Sequence, residues 1–211
     1  MLTRRHFVKT STLAVGAAAA GMAVGVAAAT PAQAEYVTPA LVPIMQSTTG
    51  AYAAYNCGPT SVTMALVAKG IKPAAWPDKV AAVQLVRRDA MKKVGSGGTT
   101  LAQIQAGFAY YGKGSHIAGI DEAINWAHQG HAVVVGGDAA TPAFNWAKWL
   151  TAGASGVGHY VFLAGYDSSR GYKILDPVSA SSANVVHYVS ESAIRAFSSY
   201  YPYQSNVIPN L

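Results

Sequence analysis

Residues 55–70 have the sequence Tyr-Asn-Cys-Gly-Pro-Thr-Ser-Val-Thr-Met-Ala-Leu-Val-Ala-Lys-Gly. Pro59 suits the first turn of a helix, the apolar residues after it continue the helix, and Gly70 can end it. The pattern therefore predicts a helix that begins close to Cys57. A thiol in that place lies at the positive end of the helix dipole, beside unpaired backbone N–H groups that favour the thiolate.

Cys57 is the only cysteine in the 211-residue chain. It cannot form an internal disulfide, which leaves an inert buried thiol, an intermolecular link or a nucleophile. Most free cysteines behave as small buried hydrophobes. The placement at a helix start favours the nucleophile, provided that a base and an orienting group can be found for it.

The first 34 residues have the pattern of an export signal. Residues 3–9, Thr-Arg-Arg-His-Phe-Val-Lys, carry a twin arginine, an Ala/Gly/Val-rich run follows, and Ala32-Gln33-Ala34 is a small-x-small cleavage site. We predict a Tat-type signal peptide over residues 1–34, cleavage after Ala34 and secretion. A permanent membrane anchor is the alternative, but the Ala and Gly content and the cleavage site favour removal. The mature protein would then have no stable membrane association.

Residues 35–211 suit one domain with a sizeable core, of which 35–45 could be a short pro-segment. The chain has 15 Lys and Arg residues, three of them among the first nine positions, against 9 Asp and Glu residues. This mild and scattered excess gives little support to nucleic-acid binding. The basic doublets Arg87-Arg88 and Lys92-Lys93 are expected to form the solvated face of a helix. Since the Tat route exports folded proteins, a fold completed in the reducing cytosol needs no disulfide.

Helical patterns precede strand patterns along the chain. After the Cys57 helix we predict three further helices: one that follows an N-cap at Asp78, one that is capped by Thr99 or Thr100, and one that covers 121–129. Strands are predicted at 132–136, 158–166, 172–177 and 185–189, before a closing helix over 191–197. The strand at 158–166 is apolar on both alternating faces, which is typical of a central strand. The order indicates an α+β fold with an antiparallel sheet.

His159 is the best candidate for the base that a cysteine nucleophile needs, and Asp176 for the group that orients it. His159 starts the central strand, and Asp176 ends the next strand. If Gly165 pairs with Arg170 across the intervening turn, His159 and Asp176 lie directly opposite each other and point to the same face.

A different register would separate the two residues. Pairing Tyr166 with Tyr172 places Asp176 opposite Phe162, on the other face of the sheet. The arrangement of Cys57, His159 and Asp176 therefore requires the first register, or a bulge with the same effect.

Three motifs resemble those of the papain-like cysteine peptidases related to bacteriocin-leader (double-glycine) peptidases. They are Asn-Cys-Gly-Pro-Thr-Ser at 56–61, Gly-His-Tyr-Val at 158–161 and Ile-Leu-Asp-Pro at 174–177, in the family's order. The resemblance spans roughly residues 41–199. It implies a papain-like fold, in which a helical lobe carries Cys57 at a helix start and packs on a C-terminal antiparallel sheet that carries His159 and Asp176.

The resemblance also implies a glutamine upstream of the cysteine, whose amide helps the backbone N–H of the cysteine to bind the developing oxyanion. Gln46 is the candidate, although its separation from Cys57 is longer than in closely papain-like members. The alternative is a polar residue in a solvated loop.

Other chemistry-bearing residues carry less weight. His128 and His131 flank Gly130 without a third ligand, so no metal or other cofactor is predicted. Asp167 could compete as the orienting group, but it falls in the proposed turn. Phe144, Trp146 and Trp149 could line a substrate cleft, with a place in the core as the simpler interpretation.

We therefore hypothesise a secreted cysteine peptidase that cleaves peptide or amide bonds through an acyl-enzyme, with a peptide or protein as its substrate. The same residues could serve acyl or peptidyl transfer, or cell-wall amide hydrolysis. A hypothesis from another class is a secreted, non-catalytic binding protein that retains the peptidase fold. The substrate and the oligomeric state are beyond the sequence.

Overall fold

A fully buried helix lies at the centre of the fold and carries the cysteine at its first residue. This helix, α1, spans Cys57–Ala68, and each of its twelve residues is buried. Small and apolar residues occur all around it, so it has no polar face to present to water. The computed structural model describes residues 41–147, 156–178, 186–201 and 205–211.

Four further α-helices, all short, lie in the described part of the chain. Their bounds are α2 at Lys79–Leu85, α3 at Leu101–Ala109, α4 at Ile120–His128 and α5 at Glu191–Ser198. A π-helical turn, Val86–Ala90, continues α2, and 3-10 segments cover Gln46–Thr48, Ala53–Tyr55 and Pro142–Ala147. Asp78 caps α2, as predicted, and of the two candidates Thr99 and Thr100 it is Thr100 that caps α3, in a capping box with Gln103.

Six antiparallel strands form one sheet. Their bounds are β1 at Ser115–Ala118, β2 at Val133–Asp138, β3 at Gly158–Asp167, β4 at Gly171–Leu175, β5 at Val186–Val189 and β6 at Asn206–Pro209. The strand order is β1-β6-β2-β3-β4-β5. β3 pairs with β2 on one side and β4 on the other, which confirms the central strand.

The sheet has a hydrophobic core on each face. Tyr160 and Phe162 of β3 pack in the cluster that contains α1 and α3. Val161 and Leu163, which point the other way, pack in the cluster that contains residues of α4 and α5. A strand that is buried on both faces carries apolar residues at every position, which explains the continuous apolar run from 160 to 164.

The α+β class is confirmed, while two strands differ from the sequence prediction. β1 and β6 were not expected, because each is only four residues long and neither has a strong alternation. They pair with each other, and β6 also pairs with β2, so contacts distant in sequence form them. Residues of α1 and α3 pack on one face of the sheet, and residues of α4 and α5 pack on the other.

Within the described residues, no helix combines the length and the apolar character needed to cross a membrane. The predicted signal peptide at 1–34, the pro-segment up to residue 40, Trp149 and Val185 lie outside the described residues.

Candidate active site

Cys57 is held at the start of α1 by the packing of the first turn. Its side chain is 7% exposed, and the hydroxyl of Ser61, one turn further along, donates to the carbonyl oxygen of Tyr160 at 3.1 Å. Gly58 lies against Thr99, since a Cβ at position 58 would stand 2.8 Å from the Thr99 side chain. The helix start is thereby fixed against β3 on one side and the chain before α3 on the other.

His159 and Asp176 meet at the neighbouring end of the sheet. Nε2 of His159 and Oδ1 of Asp176 are 2.8 Å apart, and both side chains are buried. With Nε2 facing the carboxylate, Nδ1 is the ring nitrogen left to face Cys57, with which His159 is in hydrogen-bonding contact. The structure therefore brings Cys57, His159 and Asp176 into one hydrogen-bonded series.

The series depends on the pairing of β3 with β4, whose register differs from the first of the two registers considered in the sequence analysis. Tyr166 pairs with Tyr172 instead of Gly165 with Arg170, so the first predicted register is wrong. A bulge between Leu163 and Gly165 then shifts the ladder by one residue.

The bulge places Asp176 on the same face of the sheet as His159, as the first predicted register would have done. Beyond it, Phe162 pairs with Leu175, so the next residue, Asp176, comes level with Val161. Val161 is two residues from His159, and residues two apart on a strand share a face. The alternative that the sequence left open, a bulge with the same effect, is the one observed. Gly165, with φ +132°, was the available signal, because glycine inside a strand often marks a bulge.

Trp146 completes the surroundings of Asp176 and was not predicted to do so. Its indole N–H donates to Oδ2 of Asp176 at 2.7 Å, and its ring stacks on His187 with centroids 4.0 Å apart. The backbone N–H of Val178 donates to Oδ1 at 2.8 Å. Both carboxylate oxygens therefore accept hydrogen bonds, which a buried carboxylate needs in order to stay ionised.

The pKa shifts of the three residues favour the charged forms. Burial raises the pKa of Cys57, but the hydrogen bond and charge of His159, with backbone hydrogen bonds to Tyr160 and Gly58, outweigh it and leave the pKa below its ordinary value. Burial lowers the pKa of His159, but the charge and hydrogen bond of Asp176 and the contact with Cys57 raise it overall.

The same balance applies to the carboxylate. Burial raises the pKa of Asp176, whereas the charge and hydrogen bond of His159 and the donors on Val178 and Trp146 lower it below the ordinary value. The arrangement thus favours a thiolate, an imidazolium and a carboxylate in sequence.

Gln46 is buried, and its backbone is hydrogen-bonded to the residue that follows Asp176. Its backbone N–H donates to the carbonyl oxygen of Pro177 at 2.6 Å, one residue after Asp176. Among the described residues, its side-chain Oε1 is buried and accepts no hydrogen bond. Gln46 is therefore not the solvated loop residue of the alternative interpretation, and its part in binding an oxyanion stays a prediction.

Arg87 contradicts the expectation for the basic doublets. Arg88 is exposed and paired with Asp89, as expected of a solvated face. The side chain of Arg87 is only 1% exposed, and its Nη1 donates to Oδ1 of Asn56 at 2.8 Å. Adjacent residues on a helix point in different directions, so the two arginines could not share one solvated face.

The remaining candidates lie apart from this series. Asp167 accepts hydrogen bonds from Ser169 and Arg170 in the β3–β4 turn. His128 stacks on Tyr166, with ring centroids 4.2 Å apart. Among the described residues, no group of three or more His, Cys, Asp or Glu side chains is placed to hold a metal ion.

The model of the Peptidase_C39 like family matches residues 40–208, most of the chain. The chain therefore belongs to this peptidase-like family.

Two solved structures resemble the chain. One is a double glycine motif protease from an AMS/PCAT transporter in complex with the leader peptide, 18% identical, with a TM-score of 0.47 over 82% of this chain and 94% of that one. The other is a putative C39-like peptidase from Bacillus anthracis, 17% identical, with a TM-score of 0.48 over 79% of this chain and 94% of that one. No match was found among curated proteins.

Proposed function

We propose that the chain is a secreted cysteine peptidase that cleaves peptide or amide bonds through an acyl-enzyme, with Cys57 as its nucleophile. The observation that carries the proposal is the hydrogen-bonded series from Cys57 through His159 to Asp176, at the start of a buried helix. Membership of a peptidase-like family supports the same reaction class. Secretion rests on the export pattern of residues 1–34.

In the first half of the reaction, the Cys57 thiolate attacks the carbonyl carbon of the substrate. The carbonyl electrons move to the oxygen, and donors that bind this oxyanion lower the barrier. As the C–N bond breaks, the imidazolium of His159 gives its proton to the departing amine. The acyl group is then held as a thioester on Cys57.

In the second half, water replaces the amine. Neutral His159 takes a proton from the water as it attacks the thioester carbonyl, and the thiolate leaves with the electron pair of the C–S bond. The carboxylate of Asp176 holds the imidazole ring by the 2.8 Å hydrogen bond throughout and stabilises its protonated form.

The oxyanion would be bound by the backbone N–H of Cys57 and the side-chain amide of Gln46. A free N–H at the first residue of a helix has no intrahelical partner and is available to a ligand. The burial of Gln46 and the anchoring of its backbone to Pro177 support a fixed position for this side chain. Removing one oxyanion donor typically lowers kcat about 100- to 1,000-fold.

The test is cleavage of a mixture of unrelated peptides, followed by mass spectrometry, with the wild type, Cys57→Ser and Gln46→Ala. We expect new peptide termini with the wild type, none with Cys57→Ser and about 100-fold fewer with Gln46→Ala. The Gln46 variant should still react with iodoacetamide at the wild-type rate, because alkylation forms no oxyanion.

Two outcomes would overturn the proposal. Products joined to an added amine, in place of hydrolysis products, would assign the site to acyl transfer. Peptides that bind without being cleaved, together with a Cys57 that reacts no faster than a free peptide thiol, would indicate a non-catalytic binding protein.

A further inference from the structure

Arg87 is a buried cation that the proposed reaction does not yet use. It lies on the π-helical turn after α2 and is among the largest fully buried side chains of the described residues. A buried guanidinium is normally paired with a carboxylate. Within the described ranges, no carboxylate oxygen lies within 4.0 Å of Arg87, whereas the neighbouring Arg88 pairs with Asp89 at 2.6 Å.

The contacts of Arg87 lead to the residue that precedes the nucleophile. Nη1 donates to the side-chain oxygen of Asn56 at 2.8 Å, and Nη2 donates to the carbonyl oxygen of Gly95. The guanidinium also lies over the ring of Tyr52, 4.9 Å from its centroid. Asn56 is completely buried, and it is the N-cap residue that directly precedes Cys57, the first residue of α1.

Two further hydrogen bonds connect Asn56 to Gln46 through Thr49. Its side-chain Nδ2 donates to the hydroxyl of Thr49 at 2.8 Å, and that hydroxyl donates to the carbonyl oxygen of Gln46 at 2.6 Å. The direction is fixed, because an arginine has no acceptor and must face the oxygen of the Asn56 amide. Arg87 therefore orients Asn56, and Asn56 ties the start of α1 to Gln46.

We propose that Arg87 is a positioning residue for the Cys57 thiolate, holding the start of α1 through Asn56 and supplying a second positive charge near the thiol. The proposal rests on the proposed function, since it concerns how the same nucleophile is activated.

The charges around the thiol support the electrostatic part. The titratable groups that interact with Cys57 are His159, Arg87, Tyr160 and Tyr201 among the described residues. Burial raises the pKa of both tyrosines, so they are neutral at neutral pH and add no charge. Burial lowers the pKa of Arg87, while Tyr52 and Cys57 raise it in part. Arg87 and His159 are thus the two cations of this group.

The test is the pH dependence of Cys57 alkylation by iodoacetamide, read by mass spectrometry. Because Cys57 is the only cysteine, the signal has one source. Replacing Arg87 by Met removes the charge and should raise the midpoint of alkylation, lowering the rate on the acid side about three- to tenfold. Arg87→Lys keeps the charge and should return the midpoint close to that of the wild type.

Two further variants make the result decisive. Arg88→Met removes the same charge from the exposed neighbour, 69% exposed, and should leave the midpoint unchanged. If Arg87→Met does not fold by circular dichroism, Arg87→Gln decides, because it removes the charge while keeping an amide N–H that can donate to Asn56.

The inference is overturned if a folded Arg87→Met, or Arg87→Gln in its place, titrates like the wild type while His159→Ala shifts the midpoint. It is also overturned if Arg88→Met shifts the midpoint as much as Arg87→Met. Failure of the proposed function looks different, since the wild-type thiol would then titrate like a free peptide thiol and no peptide would be cleaved.

Discussion

Trp146 should stabilise the protein through a single hydrogen bond to a buried carboxylate. Replacing it by Phe keeps a ring to stack on His187 but removes the indole N–H that donates to Oδ2 of Asp176 at 2.7 Å. A hydrogen bond to a charged group contributes about 1.5–3 kcal/mol, and the oxygen left behind is buried without a donor. We therefore expect the free energy of unfolding at pH 7 to fall by about 1.5–3 kcal/mol.

Urea unfolding followed by far-ultraviolet circular dichroism measures this loss. Trp126→Phe is the matched control, because the indole of Trp126 donates to the exposed carboxylate of Glu122 at 3.4 Å. Both indoles are partly buried against the same hydrophobic cluster, so Trp126→Phe reports the loss of ring size without the loss of a hydrogen bond to a buried carboxylate, and it should cost less than Trp146→Phe. If Trp146→Phe were no more destabilising than Trp126→Phe, the reasoning about the buried carboxylate would be refuted.

Two other stability measurements follow. Burial raises the pKa of Asp176 but His159 lowers it below 3.8, while burial lowers the pKa of His159 but Asp176 raises it above 6.5. The wild type should therefore have a larger free energy of unfolding than Asp176→Asn, and the difference should be constant between pH 3.8 and pH 6.5. It should shrink as the pH falls below 3.8, and also as the pH rises above 6.5 through the raised pKa of His159. Urea unfolding of both proteins across this pH range measures the difference. Gly58→Ala places a Cβ 2.8 Å from the Thr99 side chain and should lower the free energy of unfolding by about 1–3 kcal/mol. The control is Gly98→Ala, whose Cβ meets nothing within 4 Å and which should change the stability little. Equal melting temperatures of the two variants would contradict the packing described for α1.

The sequence was sufficient to place the helix start, because Pro59 and the apolar run after it act locally. It was also sufficient to select His159 and Asp176, since a central strand can be read from its double-sided apolar pattern. The strand register could not be derived in the same way. A bulge adds one residue to a ladder without altering the pattern on either side, and its one sequence signal was Gly165.

Residues that act from a distance in sequence were the hardest to predict. Trp146 lies in a 3-10 segment with no periodicity, and it reaches Asp176 only through the tertiary fold. Arg87 is a charged residue in a basic doublet, and such residues are usually exposed. It is buried here because Asn56 and Gly95 provide oxygen acceptors for its guanidinium inside the protein. Such contacts depend on packing between elements, which local propensity does not determine.

We propose Cys57 as an activated thiolate that is paired with His159. The most direct measurement is the rate of its alkylation by iodoacetamide from pH 4 to pH 9, for the wild type and His159→Ala. We predict that the midpoint of alkylation of the wild-type protein lies below the ordinary pKa of a cysteine thiol, and that His159→Ala moves this midpoint upward. A wild-type profile that coincides with a free peptide thiol, unchanged by His159→Ala, would contradict it.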